Sequence, residues 1–291
     1  MLDLDRSRDL LMKIYGDKKL CDILDSYILK HKIKIRFCLE FCRKDRWEVF
    51  LKSDPMLKLS LVYAFLPETK DRYFEKGISD KIFFDTMDDI RIWIDDHRTR
   101  TGEYGLYELN WIMDHMRLAI FKLGRLQYQK SKYFFGPSYK KNGVSIKFGE
   151  NVFSMHIPRG EKLNIEACKK SIEEARVFFK KYYPEYPTNI FVCHSWLLFS
   201  GNRNYMREDS NIIKFSEMYD IVKEIEAPSQ AYLWIFGKKI SNKELFAHKK
   251  LYGNYGHTED LPHEAKLHKD AIEYIKSGGK LGEGMGVITF Q

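Results

Sequence analysis

The chain has no run of apolar residues approaching the roughly 20 that a bilayer crossing requires, so no membrane span is expected. Its first residues, Met1 to Arg6, are charged and lack a signal-peptide core, and the expectation is a cytoplasmic protein. Cysteine is sparse. The five present, Cys21, Cys38, Cys42, Cys168 and Cys193, are scattered, odd in number and without a CxxC unit. That pattern favours buried free thiols over disulfides or zinc. His248, His257, His263 and His268 have spacings that fit no familiar ligand set, so no metal is expected. There is no glycine-rich RNA motif, zinc finger, basic low-complexity arm or internal repeat. The net charge of +8 is therefore read as suited to a phosphate-bearing cofactor or an acidic carrier protein, not to nucleic acid.

What is present is an ordinary globular composition, 44% hydrophobic and 31% charged, with enough chain at 291 residues for one or two cores. Residues 1 to 123 carry helical signals. Asp54-Pro55 is a capping side chain followed by a first-turn proline, opening a helix that carries Leu57, Leu61 and Leu66 up to Pro67. A second helix is expected from Asp80 to His97. A third is expected from Leu106 to Leu123, where Leu109, Met113, Met116, Ile120 and Leu123 recur at helical spacing and mark core.

At Gly124 the period changes to two. Val144 to Phe148 alternates, Gly149-Glu150 turns the chain, and Asn151 to Ile157 alternates again, which predicts a hairpin. Pro158-Arg159-Gly160 breaks that strand. A helix then runs from a cap at Asn164 to about Tyr183, followed by the short strand Asn189 to Cys193. Strands are expected at Tyr219–Ile225, Gln230–Phe236 and Gly286–Phe290, with a helix over Pro262–Lys276. The reading is an α/β (α+β) chain with a helical N-terminal domain, residues 1–123, and a mixed-sheet domain, residues 124–291. A strand that stops at a glycine turn and feeds a helix N-terminus suits an anion.

Several fragments resemble a bacterial family of acyltransferase-like proteins, which pair a helical N-terminal acyltransferase domain with a C-terminal domain like the GNAT superfamily. They are Gly124 to Tyr128, His156 to Gly160, Cys168 to Phe179, Cys193 to Leu198, and Ser210 to Ile212 with Phe215; Gly102 to Trp111 is also similar. The resemblance implies a GNAT-like C-terminal domain in which a strand splayed from its neighbour admits the pantetheine arm of a thioester. It implies transfer of an acyl group to a small-molecule amine by direct attack, from acyl-CoA or an acyl carrier protein. The usual phosphate loop has a basic residue or glutamine, two residues, then Gly-x-Gly or Gly-x-Ala; here only Arg159-Gly160 stands, followed by Glu161-Lys162-Leu163. That shortening leaves room for a carrier-protein donor, and for the alternative of a non-catalytic ligand-binding module that keeps the fold.

On this reading His156, at the strand end, is the base and Ser195 the donor of a proton to the thiolate. Arg159, Gly160 and Lys162 are the phosphate candidates. Glu103, Glu108, Arg125, Ser210 and Asn211 are the acceptor candidates, with Ser210 also reading as a helix cap. Cys193 and His194 are adjacent on an extended chain and point to opposite sides, a poor nucleophile and base pair.

Overall fold

The computed structural model describes every residue except Met1, Pro137, Asn142, His257 and Gln291. Two compact units are present, one of residues 1–129 with 157–161, the other of residues 130–156 with 162–291.

The first unit is built from α1 (Leu4–Ile14), α2 (Lys18–Lys30), α3 (Lys32–Arg43), α4 (Pro55–Glu75), α5 (Asp80–Thr101) and α6 (Leu109–Met116). The strands β1 (Ile120–Leu123) and β2 (Leu126–Lys132) follow, with the unit boundary falling inside β2. Four of these helices begin on a capping side chain: Asp3, Asp17, Asp54 and Ser79 each accept a first-turn amide.

α4 is the centre of the unit. It is buried continuously from Leu57 to Pro67, with α1, α2, α3, α5 and α6 packed around it. That surround is why the helix does not stop at Pro67 as its sequence suggests. Proline removes one hydrogen bond, but burial on every side holds the helix through it. The helix expected over Leu106–Leu123 is shorter. It ends at Met116, Leu118 takes a φ of 55°, and Ile120 to Leu123 pairs antiparallel with Gln129 to Leu126 instead. Sheet pairing overrides the apolar period there.

The second unit adds β3 (Ser138–Lys141), β4 (Val144–Lys147), β5 (Asn151–His156), α7 (Ile165–Tyr182) and β6 (Ile190–Ser195). It continues with α8 (Asn211–Ser216), β7 (Asp220–Glu226), α9 (Ser229–Phe236), α10 (Asn242–Tyr252), α11 (Lys266–Lys276) and β8 (Gly282–Thr289). Within the unit the main sheet runs β5-β6-β8-β7, parallel between β5 and β6 and antiparallel elsewhere.

Three sequence expectations change here. The hairpin is β3 with β4, not β4 with β5. It lies over one face of the sheet, where Tyr133, Tyr139 and Ile146 pack with Val152, Val192 and Val287. The segment Gln230–Phe236 is helical, because its buried residues Ala231, Tyr232, Ile235 and Phe236 fall at spacings of a helix and Gly237 closes it in the left-handed conformation. The last strand begins at Gly282 rather than Gly286, since Gly282 and Gly284 are glycines for a packing reason. A side chain at either would run into the backbone carbonyls of Ile225 and Leu198, respectively. On the opposite sheet face, α7 seats Phe179 flat on Phe153 at 3.7 Å between ring centroids.

Candidate functional site

β5 and β6 form a short ladder. Phe153 faces Phe191 and Ser154 faces Val192, after which β5 continues to His156 and β6 to Ser195 without further pairing to one another. β6 does not fray, since it is paired with β8 along its whole length, from Ile190 opposite Thr289 to Ser195 opposite Gly284. The parting is therefore a wedge between two ordered strands, open on the side of their C-terminal ends.

Alternation assigns faces to the side chains beside this wedge. Val152, Ser154 and His156 share a face with Ile190, Val192 and His194, the face under the β3–β4 hairpin. Phe153, Met155, Cys193 and Ser195 take the α7 face. The two residues expected to do the chemistry thus lie on opposite sides of the sheet. Ser195 is buried and its Oγ accepts the Leu197 amide at 3.2 Å, so its hydroxyl proton remains available. His156 is half-buried.

His194, passed over in the sequence, stands beside the wedge on the His156 face. Its Nε2 is 2.7 Å from Glu283 Oε2, with that carboxylate side chain 8% exposed, and Phe135 packs edge-on at 6.3 Å. A buried carboxylate on an imidazole fixes the ring's orientation. Sequence reasoning had no means of finding this pair, because its members are 89 positions apart and meet only through the β6–β8 register. Cys193 is wholly buried, which pushes its thiol up to about 12 and removes it as a nucleophile.

On the α7 face, the first turn of α7 and the helix α8 border an open cleft of about 660 Å³, lined by Asn164, Ile165, Glu166, Lys169, Asn211, Lys214, Glu217 and Met218. Asn164 caps α7 by accepting the Ala167 amide at 2.9 Å. Ser210 caps α8 through the Ile213 amide at 3.3 Å, which is the structural half of its expected role, while Asn211 lines the cleft. Lys169 and Lys214 are cations of this cleft that the sequence did not single out. Lys162 is exposed.

The remaining candidates belong to the first unit. Arg159 donates to Asp96 at 3.0 Å and lies over Trp93 with its guanidinium 5.5 Å from the ring centre. Gly160 has a φ of 95°, which the absence of a side chain allows. Arg125 is buried and donates to the carbonyls of Pro158 at 3.3 Å and Glu161 at 2.8 Å, while Lys122 pairs with Glu161 at 2.9 Å. Those bonds fix the shape of the segment 157–161. Glu103 is exposed; its backbone carbonyl faces His97 Nδ1 at 2.9 Å, and Glu108 precedes α6 without a side-chain cap.

Among the described residues no three His, Cys, Asp or Glu side chains converge as metal ligands. His248 faces the Asn254 carbonyl and His268 approaches Glu264, whereas His257 lies outside the described residues. No helix among the described residues is long and apolar enough to cross a membrane.

Comparison with known proteins adds the following. The sequence profile of the GNAT-like C-terminal domain matches residues 120–288, and that of the N-acyltransferase N-terminal domain matches residues 33–118. Among solved structures, the chain is similar to an acyltransferase in complex with decanoyl-CoA and teicoplanin, with a TM-score of 0.66 and 22% identity over 81% of this chain and 66% of that one. It is similar to an acyltransferase in complex with CoA and 10C-teicoplanin, with a TM-score of 0.66 and 21% identity over the same shares. A mutant acyltransferase in complex with octanoyl-CoA gives a TM-score of 0.76 and 19% identity over 99% of this chain and 88% of that one. The chain spans slightly less than two thirds of the first two. No curated protein matches it in sequence. At these identities the structural likeness is one of fold.

Proposed function

The chain belongs to the family of GNAT-like C-terminal domains, preceded by an N-acyltransferase N-terminal domain, and on that premise we propose that it transfers an acyl group from acyl-CoA to a small-molecule amine. The observation that carries the reading is the wedge between β5 and β6, joined to the family match over residues 120–288.

The thioester crosses the sheet through the wedge, with the CoA portion on the α7 face and the acceptor on the hairpin face. Lys214, the first turn of α7, and Lys169 once it exchanges its 2.9 Å partner Glu166 for the ligand, supply the donors for phosphates beside Asn211. The amine nitrogen attacks the thioester carbonyl carbon, a C–N bond forms, and the C–S bond then breaks. The nitrogen's proton goes to an imidazole on the acceptor face, His156 first, with His194 oriented by Glu283 as the second. The CoA thiolate takes a proton through Ser195 on the opposite face as that hydroxyl is reprotonated from solvent, and the imidazolium gives its proton to solvent, so that thiol, serine and imidazole all end neutral. Because the two proton transfers occur on different faces, one site need not serve as both acid and base.

The matched complexes hold CoA or acyl-CoA, which favours CoA over a carrier protein as donor. Two of them also hold teicoplanin or 10C-teicoplanin, which makes teicoplanin the first acceptor to try. The alternative of a non-catalytic binding module draws on one feature: Arg159, the residue expected to grip phosphate, is engaged by Asp96. Titration calorimetry with octanoyl- and decanoyl-CoA, then thiol release in the presence of amines, separates the two. Binding with amine-dependent thiol release supports the enzyme; binding with no release under any acceptor supports the module; no binding at all refutes both.

A further inference from the structure

The strongest feature outside the site is the outward face of α3. Residues 30–46 hold seven Lys and Arg against two Asp and Glu, a large share of the chain's net +8. One face of α3 is core: Ile35, Cys38, Leu39 and Cys42 are buried, and α3 packs against α4. The other face projects Ile33, 88% exposed, and Phe37, 65% exposed, one turn apart, with Leu29 at 59% exposure just before them. Lys30, Lys32, Lys34 and Arg36 surround these side chains, are exposed, and form no ion pair among the described residues. Glu40, the one acid of this helix, is paired with Arg43 at 2.5 Å.

We propose that this face of α3 is a peripheral docking surface for an anionic phospholipid bilayer. Three arguments select that occupant. A second copy of the chain is excluded by charge, since it would set one cationic face against another. A protein partner of ordinary affinity needs about 800 Å² of complementary surface, whereas Ile33 and Phe37 are two separate exposed apolar side chains set among cations, with Lys32 and Arg36 also bordering a cleft that holds Asp3, Asp5 and Asp71. A bilayer interface is soft and diffuse in charge, and it accepts apolar side chains flanked by lysines, the pattern of helices that lie in the interface plane. The helix does not need the bilayer to form, because its opposite face is already buried in the first unit. The inference is independent of the proposed reaction.

The test is vesicle flotation with the full-length protein. Vesicles of phosphatidylcholine with a minor fraction of phosphatidylglycerol are compared with phosphatidylcholine alone, at low and high salt. The wild type is expected to float with the anionic vesicles, at least about tenfold more than with neutral ones, and to be released by salt. Two variants are expected to lose that binding independently: Ile33→Ser with Phe37→Ser, and Lys32→Glu with Lys34→Glu and Arg36→Glu. All five positions are exposed, and circular dichroism confirms that the variants are folded. No flotation with anionic vesicles, equal flotation with neutral ones, or undiminished binding in a folded variant overturns the proposal.

Discussion

Asp89 is expected to be the costliest single polar residue of the first unit to remove. Its side chain is 6% exposed and is contacted from two directions by α6. The Trp111 indole donates to Oδ2 at 2.5 Å, and His115 Nε2 lies 3.2 Å from the same oxygen, with that imidazole wholly buried. His115 Nδ1 is in turn 3.1 Å from the Trp111 carbonyl. Both ring nitrogens of His115 thus face oxygens. Burial by itself raises the Asp89 carboxyl, but the bond and charge of His115, with the indole, outweigh it and leave the carboxyl below its ordinary value.

Asp89→Ala leaves a buried imidazole and indole without their acceptor, and the expected loss is about 3–5 kcal/mol. Asp89→Asn keeps the shape and the indole bond but not the charge, for an expected loss of about 1–3 kcal/mol. Urea unfolding followed by circular dichroism reads both. The decisive measurement is the cycle with His115→Gln. Members of one buried pair should couple by more than about 0.5 kcal/mol, so Asp89→Asn with His115→Gln should cost less than the two singles together. The pH dependence has a definite sign. A carboxyl lowered in the fold contributes stability that is present above its unfolded value, near 4, and is lost as the pH falls through the folded value. The gap between wild type and Asp89→Ala should therefore narrow at low pH. Additive singles, or a gap that is flat or widens toward acid, would refute the pair.

His194→Ala is expected to lower kcat about 10²- to 10⁴-fold if its imidazole handles the amine's proton, with acyl-CoA affinity by calorimetry unchanged; a KM effect alone would speak for a structural role. Glu283→Gln should lower kcat less than His194→Ala does, since it removes only the partner that orients the ring. Lys169→Ala with Lys214→Ala should weaken acyl-CoA binding and flatten its salt dependence, and an affinity unchanged at low salt would show that the cleft is not the phosphate seat. Gly284→Ala should destabilise the second unit by about 1–3 kcal/mol or more, because its methyl group meets the Leu198 carbonyl, and an unshifted melting point would contradict that packing. Cys42 and Cys193, both pushed by burial up to about 12, should resist iodoacetamide in the native protein at neutral pH and react only after denaturation, as followed by mass spectrometry.

The elements set by local chemistry could be read from the chain. Asp54-Pro55 starts α4, Asn164 caps α7, and the alternation of residues 151–156 is β5, each requiring only neighbours in sequence. What could not be read is set by distant partners. Pro67 sits inside a helix because five other helices enclose it, and Ile120 leaves a helical pattern because Gln129 is available to pair. The glycines of β8 hid a strand, since their reason is the backbone of Leu198 and Ile225 pressed against them. For the site, the strand–loop–helix–strand order pointed to β5 and β6, but the face of each side chain depends on register, and register gave His194 its carboxylate.

The wedge itself follows from two unequal constraints on neighbouring strands. β6 is held from its far side by β8, and β8 cannot shift because Gly282 and Gly284 lie close under other backbone. β5 ends at His156. Pro158 follows one residue beyond it and can offer no amide to a ladder, and Gly160 then turns at a positive φ toward α7. The strand that is clamped stays, and the one that meets proline departs. The opening is therefore set by the strands themselves and does not have to be forced by a ligand. Restoring a residue with a backbone amide at position 158 would leave it in place, because β6 would still be fixed by β8 and Gly160 would still turn the loop away.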